Sequence, residues 1–266
     1  MLHFTLHRLT LITRCSLFVG LLIITYSTAF AQKTMKQRTV EELINKADPG
    51  WPLVQEWIDS AKNKVEILPV DTAKARDALF KMQVTTRSPM GAIAYMTGGL
   101  LVDGGWIRIL GSGHPRLNRS LPEWNKGKSF KEYGEAAAYY LIADDAMGGF
   151  FALNGGAFSK EKMGTVFYLA PDNLEWEDMD LSYTGFLNFC FKGDLQDFYG
   201  DYRWKGWQEE VAALPGDKVY NFFPPLWTKD GKNITNGSRK AISVEEQFNA
   251  NLDFRKQMGI ETNYRE

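Results

Sequence analysis

The apolar positions change period along the chain. Behind Thr39-Val40-Glu41-Glu42, a capping-box helix start, and the Pro49-Gly50 break, residues Trp51, Val54, Trp57, Ile58 and Ala61 recur at helical spacing on one face. Asp71 predicts the N-cap of a third helix that turns Ala75, Leu79 and Met82 inward. From Ala92 the pattern shortens. The runs Ala92 to Met96, Leu100 to Asp103 and Trp106 to Leu110, separated by Gly98-Gly99 and Gly104-Gly105, predict a tight antiparallel meander. After a loop from Gly111 to Ser120, the alanine- and tyrosine-rich stretch Lys131 to Met147, closed by Gly148-Gly149, predicts a helix. Phe150 to Leu153 and Thr165 to Leu169 predict two more strands around the Asn154-Gly155-Gly156 turn.

Helical spacing then returns. Ser182 caps a helix that places Tyr183, Phe186, Leu187 and Cys190 on one face, and Leu195, Phe198 and Tyr202 continue it. Gln208 to Leu214 follows, Pro224-Pro225 interrupts, and Ser243-Val244-Glu245-Glu246 restarts a helix with Phe248 and Leu252 inward and Gly259 at its end. The expected fold is α+β, a mainly antiparallel sheet flanked by helices. No linker composition interrupts residues 32–266, so a single domain is expected there.

The amino end follows a different logic. Arg8 and Arg14 precede an apolar stretch from Cys15 to Tyr26, and Ala29-Phe30-Ala31 places small residues at both cleavage-determining positions. This reads as a secretory signal peptide cut between Ala31 and Gln32, giving a periplasmic or secreted protein. The alternative is an uncleaved anchor using residues 15–31, but a span needs about 18 or more apolar residues. Arg14 occupies the position where lipid attachment at Cys15 would need a small residue.

Removing the leader changes the chemistry on offer. Of 31 basic residues 29 remain, against all 32 acids, so the near-zero net charge becomes mildly negative. Nucleic acid is not an expected partner, because displacing phosphate counterions needs a basic surplus. One cysteine, Cys190, and one histidine, His114, are left. Neither an internal disulfide nor a zinc site of the Cys/His type can then form within one chain, and no cofactor is expected.

The runs Thr85-Thr86-Arg87-Ser88-Pro89-Met90-Gly91-Ala92, Gly98-Gly99-Leu100-Leu101-Val102-Asp103-Gly104-Gly105-Trp106 and Arg108-Ile109-Leu110-Gly111-Ser112-Gly113-His114 resemble the bacterial family known as domain of unknown function 2625. So do Phe151-Ala152-Leu153-Asn154-Gly155-Gly156, Tyr168-Leu169-Ala170-Pro171-Asp172, Arg203-Trp204-Lys205-Gly206-Trp207 and Pro224-Pro225-Leu226-Trp227. This resemblance spans roughly Thr39 to Trp227 and implies a fold family without an activity. More loosely, the order of elements from Gly149 to Phe191 resembles the SMI1/KNR4-type (SUKH) superfamily, which implies a binding module, immunity-like in many bacterial members.

Candidate chemistry is sparse. His114, in a glycine-rich loop beside Arg116 and Arg119, is the one side chain suited to general-base work near neutral pH, or to contacting an anion. Neither a dinucleotide fingerprint nor a Gly-x-Ser-x-Gly elbow surrounds it. Arg87, Asp103, Trp106, Arg108, His114, Arg116, Trp176, Arg203 and Trp204 form the candidate ligand-binding set, polar and aromatic groups able to line a groove for a protein or a cell-envelope ligand. The leading expectation is therefore an exported, non-enzymatic binding module. The alternative is a carboxylate-based hydrolase of envelope glycans. It would use Asp144 and Asp145, or the cluster Asp172, Glu175, Glu177, Asp178 and Asp180, with Trp106, Trp176, Trp204 and Trp207 as sugar platforms.

Overall fold

The computed structural model describes residues 37–260. The expected leader and its expected cleavage position lie outside the described residues. Thr39 caps α1 (Val40–Leu43) through a reciprocal capping box with Glu42, and α2 (Trp51–Asp59) opens with Pro52 in its first turn. Asp71 caps α3 (Thr72–Met82), accepting from the amides of Ala73 and Lys74, with Ala75 and Leu79 inward as the spacing predicts.

A seven-stranded antiparallel sheet follows sequence order: β1 (Val65–Leu68), β2 (Gly99–Val102), β3 (Ile107–Leu110), β4 (Tyr139–Asp145), β5 (Phe150–Asn154), β6 (Thr165–Leu169) and β7 (Trp176–Ser182). The chain is thus α+β. Every residue of β2 and β3 is buried, so this part of the sheet is covered on both faces. The β2–β3 turn carries Asp103 at φ 49°, Gly104 at 70° and Gly105 at 102°; the two glycines supply the left-handed backbone that a side chain would resist. Between β5 and β6, buried Asn154 holds the loop by donating to the carbonyls of Ser159 (2.6 Å) and Lys162 (2.9 Å).

Two sequence expectations are corrected here. Residues 92–96 are not a strand but belong to α4 (Pro89–Met96), capped by Ser88, whose side chain accepts from the Gly91 amide. Residues 131–147 are not a helix: a loop leads into β4, where Leu141 to Asp145 are all buried. The structure also adds β1, β7, the short α5 (Leu121–Asn125) and a two-stranded sheet of β8 (Lys218–Phe223) and β9 (Ser238–Ser243).

The remaining helices are α6 (Tyr183–Lys192), α7 (Leu195–Tyr199), α8 (Trp207–Ala213) and α9 (Val244–Gln257). Ser182 caps α6 and Ser243 caps α9, as expected. One hydrophobic cluster, with Trp106, Phe150, Phe151, Phe186 and Phe248 among its largest members, runs through sheet and helices. No helix among the described residues is long and apolar enough to cross a membrane.

Candidate functional site

The alternation of a strand sends neighbouring side chains to opposite faces, and this separates Asp144 from Asp145 at the end of β4. Asp144 faces its cross-strand neighbour Arg108 on β3. Arg108 Nε donates to Oδ1 at 2.6 Å, and Arg119 Nη1, from the loop after β3, donates to Oδ2 at 2.6 Å. The same two guanidiniums reach the carbonyls of Lys218 and Gly216, tying the main sheet to the start of β8. All three charged groups are buried. Burial pulls the Arg108 pKa down, against the attraction of the Asp144 carboxylate.

Asp145 accepts four hydrogen bonds: from Tyr168 Oη on β6 (2.7 Å), Tyr199 Oη on α7 (3.2 Å) and the amides of Met147 (3.1 Å) and Gly149 (2.8 Å). A Cβ at position 149 would stand 2.3 Å from Tyr168 Oη, so only glycine leaves room for this arrangement. Burial pushes Asp145 up to about 6, while the tyrosine and backbone donors pull the other way. Between about pH 4 and 6 the folded chain therefore retains a proton that the unfolded chain has released, and stability falls as pH rises through that window, by up to about 3 kcal/mol. Glu66, held below the ordinary carboxylate range by the Arg116 guanidinium, acts in the opposite sense: its contribution is lost as pH falls below its unfolded value. Denaturant unfolding should then show wild-type stability falling between about pH 5 and 6, within that window, with Asp145→Asn abolishing the decline. A wild-type stability that climbs steadily from pH 5 to 7 contradicts this.

The sequence-derived set divides into separate places. Asp103, Trp106, Arg203 and Trp204 meet in one cluster. Arg203 bonds Asp103 (2.8 Å) and lies over the rings of Trp106, Tyr199 and Trp207, 4.4–5.5 Å from their centroids. Trp106 is fully buried and Trp204 nearly so, which places both rings in the core. Arg108 and Arg116 line a cleft of about 260 Å³ between Gly104-Gly105 and the segment Val211 to Asp217. His114 Nδ1 accepts from the Arg116 amide at 3.1 Å within its own loop, and the Arg116 guanidinium pairs with Glu66. Arg87 is an exposed partner of Asp48. Trp176 stacks on Phe158 at the sheet's β7 end, with ring centroids 4.4 Å apart.

The acids of the hydrolytic alternative separate as well. Asp144 and Asp145 have no exposed surface. Asp178 and Asp180 on β7 pair with Lys162, and Asp172 accepts from Tyr202 Oη. Burial raises the Cys190 thiol pKa well above its ordinary value, leaving an inert packing group. Among the described residues no three or more His, Cys, Asp and Glu side chains come together as a metal would need.

A larger groove, about 410 Å³, lies where β8, the loop that follows it and α9 meet, and sequence spacing did not point to it. Its aromatic and prolyl lining includes Tyr220, Phe222, Phe223, Pro225, Trp227 and Phe254. Phe223 stands 72% exposed at the strand end, and the Trp227 and Phe254 rings lie 5.6 Å apart. Thr228 fixes the loop by donating to the Pro225 carbonyl from both its amide (2.9 Å) and its hydroxyl (2.7 Å). Gly231 packs so tightly against that carbonyl that a Cβ would stand 1.9 Å from its oxygen.

Through this apolar wall runs a line of amides. Asn221 Nδ2 donates to Gln247 Oε1 (2.9 Å), Gln247 Nε2 to Asn251 Oδ1 (2.7 Å), and Asn251 Nδ2 to the Gly148 carbonyl (3.1 Å). All three donors point the same way, so the bonds polarise one another, and the Asn221 Oδ1 acceptor heads the line. The residues Pro224-Pro225-Leu226-Trp227, quoted above for family resemblance, supply part of the groove. A further signal was Gln247 and Asn251, two amides at i, i+4 on the face of a helix that also carries Val244 and Phe248.

Comparison with other proteins adds family but no activity. The family described as "Protein of unknown function DUF2625" matches residues 40–247. An "Uncharacterized protein" of Haemophilus influenzae is 40% identical over 215 residues, covering 81% of this chain and 94% of that protein. A "Putative uncharacterized protein YbfG" of Escherichia coli is 43% identical over 209 residues, covering 79% and 93%. No solved structure matches.

Proposed function

For a chain that belongs to the DUF2625 family, which brings no activity with it, we propose the function of an exported, non-enzymatic binding module whose ligand, a protein or another component of the cell envelope, occupies the β8–α9 groove. The observation that carries this reading is the directional amide line set into an aromatic wall. An open apolar site with a few convergent polar groups is how small and extended ligands are held. The burial of Asp144 and Asp145 also favours binding over hydrolysis, since paired catalytic carboxylates must flank an accessible bond. The leader, cut before Gln32, would deliver the module beyond the cytoplasmic membrane.

A photocrosslinking residue tests both parts in the native host. With Phe223→p-benzoylphenylalanine, illumination should give a discrete adduct, and the mass of the uncrosslinked chain should place its amino end at Gln32. The same substitution at Met163, which is 64% exposed and outside the groove lining, should give none. Equal labelling at both positions defeats the groove as the site. A mass that begins at Met1 defeats the cleaved leader.

A further inference from the structure

We infer that the β8–α9 groove takes a neutral glycan, a short run of linked sugars held by its hydroxyl and amide groups. This deepens the binding-module reading and rests on it. The inference follows from which groups line the groove and which do not.

No lysine, arginine or histidine is among the lining residues, and the one ionisable carboxyl there is Glu246. A phosphate, a carboxylate or an acidic polysaccharide would find no cation to pair with and one anion to oppose it. An extended peptide is usually held through its backbone by a free strand edge. Here β8 is already paired with β9 from Lys218 to Phe223, and the amide of Tyr220 is taken by the Ala146 carbonyl.

A neutral sugar fits what remains. Its hydroxyls donate and accept, as carboxamides do. The Asn221 Oδ1 at the head of the line accepts a hydroxyl or acetamido proton, and its acceptor strength is raised by the two further amide bonds behind it. Glu246 can accept from a second hydroxyl. The apolar C–H face of a pyranose ring needs a flat apolar surface, and Phe223 and Trp227 provide exposed or groove-lining rings for it. Trp227 and Glu246 are a different tryptophan and a different acid from those the sequence suggested for sugar contact.

The test is isothermal titration of the mature chain with four probes of similar length. Two are neutral oligosaccharides, a β-1,4-linked glucose tetramer and its N-acetylglucosamine counterpart. The others are a galacturonic acid tetramer and an end-capped neutral tetrapeptide. The expected result is saturable binding of at least one neutral oligosaccharide and none of the acidic one. Loss of one aromatic face in Phe223→Ser should weaken binding about tenfold, and Asn221→Leu should weaken it at least as much. Circular dichroism of both variants separates lost binding from lost folding. Binding of the peptide alone, tighter binding of the acidic tetramer, or no binding of either neutral oligosaccharide overturns the glycan inference. If the crosslinked adduct at position 223 still forms in the host, the module reading survives that failure; if neither adduct nor titration signal appears, both fall.

Discussion

Asp144→Asn is expected to destabilise the fold by about 3–5 kcal/mol, more than removal of either arginine that touches it. The reason is an imbalance in the buried cluster. One carboxylate serves two guanidiniums, Arg108 and Arg119, so neutralising it leaves two buried cations without their counter-charge, each still fixed to a carbonyl near β8. Arg108→Met leaves one cation facing one anion, a balanced pair, with a methylene stem retained and two hydrogen bonds lost, to Asp144 and to the Lys218 carbonyl. Its cost should be smaller, nearer the about 1.5–3 kcal/mol of a hydrogen bond to a charged group. Denaturant unfolding of the three proteins, with unchanged denaturant dependence as the sign that the unfolded state is the same, measures the order. Equal losses for both substitutions would mean that the two arginines do not share the Asp144 charge.

Trp106→Ala should cost about 3–5 kcal/mol through the cavity it opens. Trp106 is fully buried, and its ring touches three others: Tyr199, Trp204 and Trp207 at centroid distances of 5.2, 5.6 and 4.9 Å. Arg203 lies over the same ring and holds Asp103 at the β2–β3 turn, so the substitution also loosens that ion pair. Trp106→Phe is the informative companion. The indole N–H has no acceptor among the described residues, so replacing it with a benzene ring gives up volume but no hydrogen bond. The loss should stay well below that of alanine. A Trp106→Phe protein as unstable as Trp106→Ala would point to a bond made by that nitrogen.

The helices with clear caps were legible in the sequence. Thr39, Asp71, Ser182 and Ser243 each mark a helix start, because a cap is a local event that needs only the next three residues. The failures are non-local. β4 is buried along Leu141 to Asp145, so no alternation survives to be read, and its alanines and tyrosines mimic a helix. The run 92–96 carries no period of its own; the cap at Ser88 followed by Pro89 was the sign that it is helical. β7 bears acids because it is an edge with one paired neighbour, and a charged edge reads as a loop. The candidate site was less legible still. Asn221, the Gln247 and Asn251 pair and Gly148 lie far apart in sequence, and they meet only because β8, α9 and the turn between β4 and β5 pack together.

Sequential strand order has a consequence for how the molecule is made. Each strand from β2 to β7 pairs with the one before it, so no strand must wait for a distant part of the chain. A chain delivered amino end first, from a ribosome or through a membrane channel, can add each strand to an edge already in place, and the entropy of closing long loops is kept small. The groove is the exception: β8, β9 and α9 arrive last, and Asn251 of α9 closes on a turn, Gly148, laid down 103 residues earlier. Assembly of the sheet would then precede competence to bind, and a nascent chain would carry a finished scaffold before it had anywhere for a ligand to go.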